Sequence, residues 1–192
     1  MTKNFALTLL SAALLSGTAF FSVASHAAGA PVQGPEAPEA APAYELDKQG
    51  KRAHMDFALD IKPVSDASLK FSHFANRKLV VFYFSAVCPH CQHAAPIVQT
   101  LADDLVKQGF TAIAIAVKFN SEDDIRGFIR DYKVKMPVFH DVDPGFGTNY
   151  GTGTIPLLFM VSGNGEYIRY KSFDAVKTPA QIKAEALNLA AK

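Results

Sequence analysis

The chain has two cysteines, and they stand three apart as Cys88-Pro89-His90-Cys91. Two thiols at that spacing can pass reversibly between dithiol and disulfide. The ring closed by such a disulfide is too small to staple distant parts of the chain, so a purely structural bridge makes little sense. The apolar run Leu79-Val80-Val81-Phe82-Tyr83-Phe84 comes just before. It places the pair at the mouth of a strand and the start of a helix. There the unpaired backbone N–H groups and the helix dipole favour an anion, which makes Cys88 the expected nucleophile. His90, when protonated, adds a second favourable charge, and Pro89 with His90 is read as the tuning dipeptide. Cys91, one turn further in, is the expected resolving thiol. A structural zinc site needs about four ligands, and only His90 and His93 lie nearby in sequence, so no metal is expected. His93 is read as a surface residue, and His54, His73 and His140 as structural or solvated.

The elements that position the pair can be read from periodicity. Leu79–Ala86 is apolar throughout, as in a central strand covered on both faces. Ala94, Val98, Leu101 and Leu105 follow helical spacing, and Gly109 ends that helix. Phe110–Val117 reads as a second buried strand. Ser121 and Asp124 form a capping box for a helix whose apolar side is Ile125, Phe128, Ile129 and Tyr132. A short strand is expected at Pro137–His140. Leu157–Val161 and Tyr167–Tyr170 flank Gly163-Asn164-Gly165, a hairpin signal. Thr178-Pro179-Ala180-Gln181 opens a last helix through Ile182, Ala186 and Leu189. The order β-α-β-α-β, hairpin, helix predicts an α/β fold with a mixed central sheet and helices on both faces. Phe119, Phe128 and Phe146 are expected in the core.

Composition sets outer bounds. The 192 residues are 49% hydrophobic, enough for one packed domain. Met1-Thr2-Lys3-Asn4, the apolar stretch Phe5–Leu15 and the small residues ending at Ser25-His26-Ala27 have the layout of a secretory signal peptide. Phe5–Ala24 is about long enough to cross a bilayer. Ser11, Ser16, Gly17, Thr18 and Ser22 dilute it, so cleavage is expected over an inner-membrane anchor. The division predicted is a signal at 1–27, a Pro/Ala-rich linker at 28–43 and a folded domain at 44–192. Without Lys3 the charges balance at 18 basic against 18 acidic residues, which argues against a nucleic-acid surface. Export would place both thiols where disulfides persist.

Taken together, these residues resemble the thioredoxin fold, and more closely its exported TlpA/ResA-like branch. The Cys-x-x-Cys follows a hydrophobic strand. Pro96 lies five residues past Cys91, like the kinking proline of the thioredoxin active-site helix. Ile155-Pro156 stands directly before a strand, as the family's cis-proline does. The longer stretch from Tyr132 to Pro156 matches a TlpA-like αβ insertion before that proline. The resemblance implies that Ile155 and Pro156 bind substrate beside the cysteines. Phe82 stands where thioredoxin has a buried aspartate, and Val87 replaces the usual tryptophan before the first cysteine. The Pro-His dipeptide is similar to that of DsbA, and the short exported layout is more loosely similar to TrbB/TraF-like conjugation proteins.

The expectation is therefore a periplasmic thiol–disulfide oxidoreductase with no cofactor beyond its Cys88–Cys91 disulfide. Its expected partners are cysteine-containing exported proteins and a membrane thiol–disulfide electron partner, with no transmembrane segment left after cleavage. The direction of exchange stays open between oxidase or isomerase and reductase. Two other functions compete: an exported metal-delivery protein using the same dithiol, and an assembly factor of an envelope or conjugation machine.

Overall fold

The computed structural model describes residues 44–171 and 177–190. The expected signal and linker lie outside the described residues. Six strands form one mixed sheet in the order β1-β4-β3-β2-β5-β6. They are β1 (Lys62–Pro63), β2 (Leu79–Phe84), β3 (Thr111–Ala116), β4 (Val138–His140), β5 (Leu157–Val161) and β6 (Tyr167–Lys171). Strand β2 runs parallel to β3 and antiparallel to β5, with Phe82 opposite Ala114 on one side and Leu158 on the other. All six β2 side chains are buried, as a β-branched and aromatic run between two covered faces requires.

Alternation along β2 sorts those side chains into two cores. Val80, Phe82 and Phe84 point to the face covered by three helices: α1 (Pro89–Val106), α2 (Glu122–Asp131) and α4 (Pro179–Ala190). Alanines line part of it, with Ala94, Ala95 and Ala102 on α1 and Ala112, Ala114 and Ala116 on β3. Leu79, Val81 and Tyr83 point to the opposite face. That face is covered by the 3-10 turn Phe71–Phe74, by α3 (Gly145–Tyr150) and by the segment leading into β1. Its filling is aromatic. Phe74 meets Phe139 edge-on at 5.8 Å, and Phe146 meets Phe159 edge-on at 5.5 Å. Each such pair adds roughly 0.5–1.5 kcal/mol beyond the area it buries.

Local signals set the helix boundaries. Cys88 is the N-cap of α1 and Pro89 its first residue. Pro96, inside α1, cannot donate to the carbonyl one turn back and so supplies a cause for a bend. Gly109, at φ +84°, turns the chain beyond α1. Ser121 and Asp124 close the expected capping box on α2. At α4 the Thr178 amide donates to Gln181 Oε1 at 2.9 Å, and Gln181 returns a bond from its own amide. Helix α4 is further anchored by buried Glu185, which accepts from the Tyr170 hydroxyl at 2.6 Å and from Lys177.

Besides the Phe71–Phe74 turn, two features depart from the expected element list. Strand β1 pairs antiparallel with β4, Lys62 opposite His140. A two-residue strand containing a proline carries no apolar run to announce it. The other is the segment from Tyr44 to Met55, which borders the hairpin. The Glu45 amide donates to the Tyr167 carbonyl at 3.0 Å, and the Met55 amide to that of Gly165 at 2.9 Å. Arg169 pairs with Glu45, and Arg52 pairs with Glu166 while lying over the Tyr44 ring.

Candidate active site

Strand β2 ends at Phe84, and after three intervening residues the chain reaches Cys88, the N-cap of α1. The two cysteines are free thiols in unlike surroundings: Cys88 is half-buried, and Cys91 has no exposed surface. The 18-residue helix behind Cys88 has no acidic residue in its first turn, so nothing there offsets the positive end of its dipole. Burial pushes the Cys91 thiol up to about 12, and the neighbouring Cys88 adds to the rise. The Ser85 amide N–H, donating to Cys91 Sγ at 3.4 Å, acts in the opposite sense. A half-buried thiol at a helix start beside a sealed one inside it is an arrangement that separates attack from resolution.

The connecting loop is held by side chains from both sides. Buried Asn120, between β3 and α2, accepts from the Ala86 amide at 3.0 Å and donates to Ser85 Oγ at 3.1 Å. Gln92 donates to the Ala86 carbonyl at 2.9 Å. The Cys88 amide donates to the Ser85 carbonyl at 3.2 Å. Phe82 lies fully buried in the same cluster as Cys91, stacked on Phe84 at 5.3 Å. Pro89, His90 and His93 are exposed on the first turns of α1.

The loop that ends at Pro156 leads directly into β5. The Ile155–Pro156 peptide is cis, and Ile155 packs against both cores. Ile155 also borders a cleft of ≈ 340 Å³ whose walls include Tyr83, Phe119, Gly147, Thr152 and Thr154. Phe119 corrects an expectation. It is 83% exposed rather than in the core, with Lys118 Nζ 5.1 Å from its ring centre, whereas Phe128 and Phe146 are buried as expected. It follows a strand that already supplies both faces, so its side chain has no core left to enter. Val87 is 63% exposed beside Cys88.

Sequence reasoning missed the buried pair behind this cleft. Tyr83 donates to Asp141 Oδ2 at 3.3 Å, while the Phe146 and Gly147 amides donate to the two Asp141 oxygens at 3.0 and 2.8 Å. Asp141 thereby satisfies the start of α3 and is 1% exposed. Burial, and then the carboxylate, push the Tyr83 phenol above its usual range. Gly147 is required here: a Cβ would lie 2.5 Å from Tyr83 Oη. The Asp141 side chain follows a strand and precedes a helix, the position of an N-terminal acceptor, and that was the one available signal.

The remaining histidines scatter. His54 bridges to Glu166, His73 Nδ1 accepts from the Lys70 amide at 3.3 Å, and His140 is buried with Nε2 unpartnered. Among the described residues no three His, Cys, Asp or Glu side chains gather as a metal site. Among them, too, no helix is long and apolar enough to cross a membrane.

Comparison with known proteins places the fold. The thiol–disulfide oxidoreductase ResA of Oceanobacillus iheyensis is 22% identical over 103 residues, which are 54% of this chain and 53% of that protein. The chain thus matches about half the length of this curated relative. Among solved structures, a secreted thiol-disulfide isomerase from Corynebacterium glutamicum superposes with a TM-score of 0.59 at 18% identity, covering 77% of this chain and 97% of its own. A secreted Mycobacterium tuberculosis disulfide oxidoreductase homologous to E. coli DsbE gives 0.58 at 15% identity, covering 68% and 95%. StoA from Bacillus subtilis gives 0.52 at 18%, covering 66% and 94%. At such identities these structures share the thioredoxin-like fold. The Redoxin family matches residues 48–187, nearly the whole described domain, and the chain belongs to that family.

Proposed function

We propose that the protein is an exported thiol–disulfide oxidoreductase that exchanges disulfides with cysteine-containing proteins through Cys88 and Cys91. The observation that carries this reading is the inequality of the two thiols, one half-buried at a helix N-cap and one sealed a turn deeper. In the reducing direction, the Cys88 thiolate attacks one sulfur of a substrate disulfide and expels the other as thiolate. A mixed disulfide remains. Cys91, on losing its proton, attacks Cys88 Sγ, forms the Cys88–Cys91 disulfide and releases the second substrate thiol. Two electrons pass from the protein dithiol to the substrate. The oxidising direction is the same sequence reversed, with Cys91 as the first leaving group.

Which direction runs is set by the partner that regenerates the protein, a membrane thiol–disulfide carrier in this proposal. Pro89 and His90 tune the potential, and Ile155 with Pro156 lines the approach for substrate. The signal-like residues 1–27 support a periplasmic location.

The test is trapping. Cys91→Ser should accumulate mixed disulfides with periplasmic proteins, and these should vanish on addition of a small thiol and in the Cys88→Ala, Cys91→Ser double variant. Adducts that persist without Cys88 would overturn the assignment. Tight stoichiometric copper or zinc binding by the dithiol, with no exchange once the metal is removed, would replace it with metal delivery.

A further inference from the structure

We infer that Asn120 is a positioning residue for the resolving half of the exchange: by fixing Ser85 and Ala86 it aims the Ser85 amide N–H at the sulfur of Cys91. The inference rests on the exchange reading above. The Ser85 backbone hydrogen-bonds both cysteines. Its carbonyl accepts from the Cys88 amide at 3.2 Å, and its amide donates to Cys91 Sγ at 3.4 Å. What holds Ser85 is Asn120, which uses both ends of its carboxamide, Oδ1 on the Ala86 amide and Nδ2 on Ser85 Oγ. Gln92 fixes the next peptide from the helix side.

Asn120 is itself on a firm base. Its amide donates to the Val117 carbonyl at 3.2 Å, and the Ser121–Asp124 capping box starts immediately after it. Only 4% of Asn120 is exposed, so its hydrogen bonds are made away from competing water.

The chemistry makes this matter at one step only. Attack by Cys88 needs no charge on Cys91. Resolution does: the Cys91 thiol must lose its proton in an apolar setting where burial holds it up, at about 12. An N–H aimed at the sulfur is stronger on a thiolate than on a thiol, so it lowers the barrier of that step. Loosening Ser85 would leave the first attack alone and slow the second.

Reduced protein mixed with Ellman's reagent separates the two steps. Cys88 attack releases one thionitrobenzoate and leaves the other in a mixed disulfide; Cys91 attack on Cys88 releases the second. The dithiol loses two electrons and two protons, and the reagent disulfide becomes two thiolates. Asn120→Ala should slow the second release about tenfold, the scale of one hydrogen bond to a charged group, with the first release within about twofold of wild type. Ser85→Ala, which keeps the backbone donor and removes only the Asn120 Nδ2 acceptor, should slow it less.

Equal slowing of both releases in Asn120→Ala would reduce Asn120 to a structural role and overturn the inference. A wild-type protein that releases no second equivalent overturns the exchange reading and this inference together. A wild type that releases both, beside variants at its own rates, overturns the inference alone.

Discussion

The two faces of the sheet solve opposite packing problems. On the Phe82 face three helices lie against the strands, and alanines on both sides let α1 approach closely. The cysteine pair therefore inherits its position from backbone. On the Tyr83 face the cover consists of short pieces, Phe71–Phe74 and α3, that cannot fill the space themselves. Phenylalanines and tyrosines fill it instead, and one charged group, Asp141, is buried among them on amide and phenol donors. The difference teaches that close approach and bulk are alternative ways of reaching the same interior density. Only the first fixes a helix terminus accurately enough for sulfur chemistry.

If that division is right, truncating Phe139 to Ala should cost about 3–5 kcal/mol of stability, while the thiol exchange rate of the folded fraction stays at wild type. Denaturant titration beside single-turnover exchange would measure both, and a lowered exchange rate in fully folded protein would break the separation. Enlarging Ala114 to Leu should cost less, about 1–3 kcal/mol, yet disturb exchange more, because the added volume must push α1 or its neighbours outward. An Ala114→Leu protein with normal exchange would show that close approach does not position the cysteines.

A pH series sharpens the comparison from the cysteine side. The Cys91 thiol sits at about 12 against an ordinary 9.0, so folding favours its protonated form. A raised value of this kind contributes stability that is complete below pH 9 and is lost as pH rises from 9 towards 12. The loss should be roughly 1 kcal/mol by pH 10. Reduced wild type should show it, and Cys91→Ala should not. A parallel decline in both would assign the effect elsewhere, with the raised phenols of Tyr83, Tyr150 and Tyr167 on the other face the first candidates. The smallest effect is expected at His90. Its replacement by Ala should make the Cys88–Cys91 disulfide less oxidising by tens of millivolts at most, where about 30 mV corresponds to a tenfold change in the equilibrium constant. An unchanged equilibrium with glutathione would remove His90 from the tuning group.

The features legible in the chain were those that local chemistry decides. The Leu79–Phe84 run, the Ser121 and Thr178 capping boxes, the Gly163-Asn164-Gly165 turn and the Cys88 N-cap each depend on neighbours within a few residues. Strand β1 was not legible, since Lys62-Pro63 pairs only because β4 arrives from far along the chain. Phe119 misled because side-chain type gives affinity for a core but not access to one. Asn120 and Asp141 escaped for a related reason. An amide or carboxylate in a turn reads as solvated, and only tertiary packing takes these two out of water and gives each of them backbone donors.

The borders of the sheet have a consequence of their own. One outer strand is two residues long and contains a proline, and the other begins under the Tyr44–Met55 segment, whose Glu45 amide occupies the Tyr167 carbonyl. If the protein meets unfolded, cysteine-bearing chains, as proposed, a long unpaired strand would put it at risk of templating their aggregation. Blunted margins of this kind direct an arriving chain away from open-ended strand addition, so that an encounter ends in release and not in a growing stack.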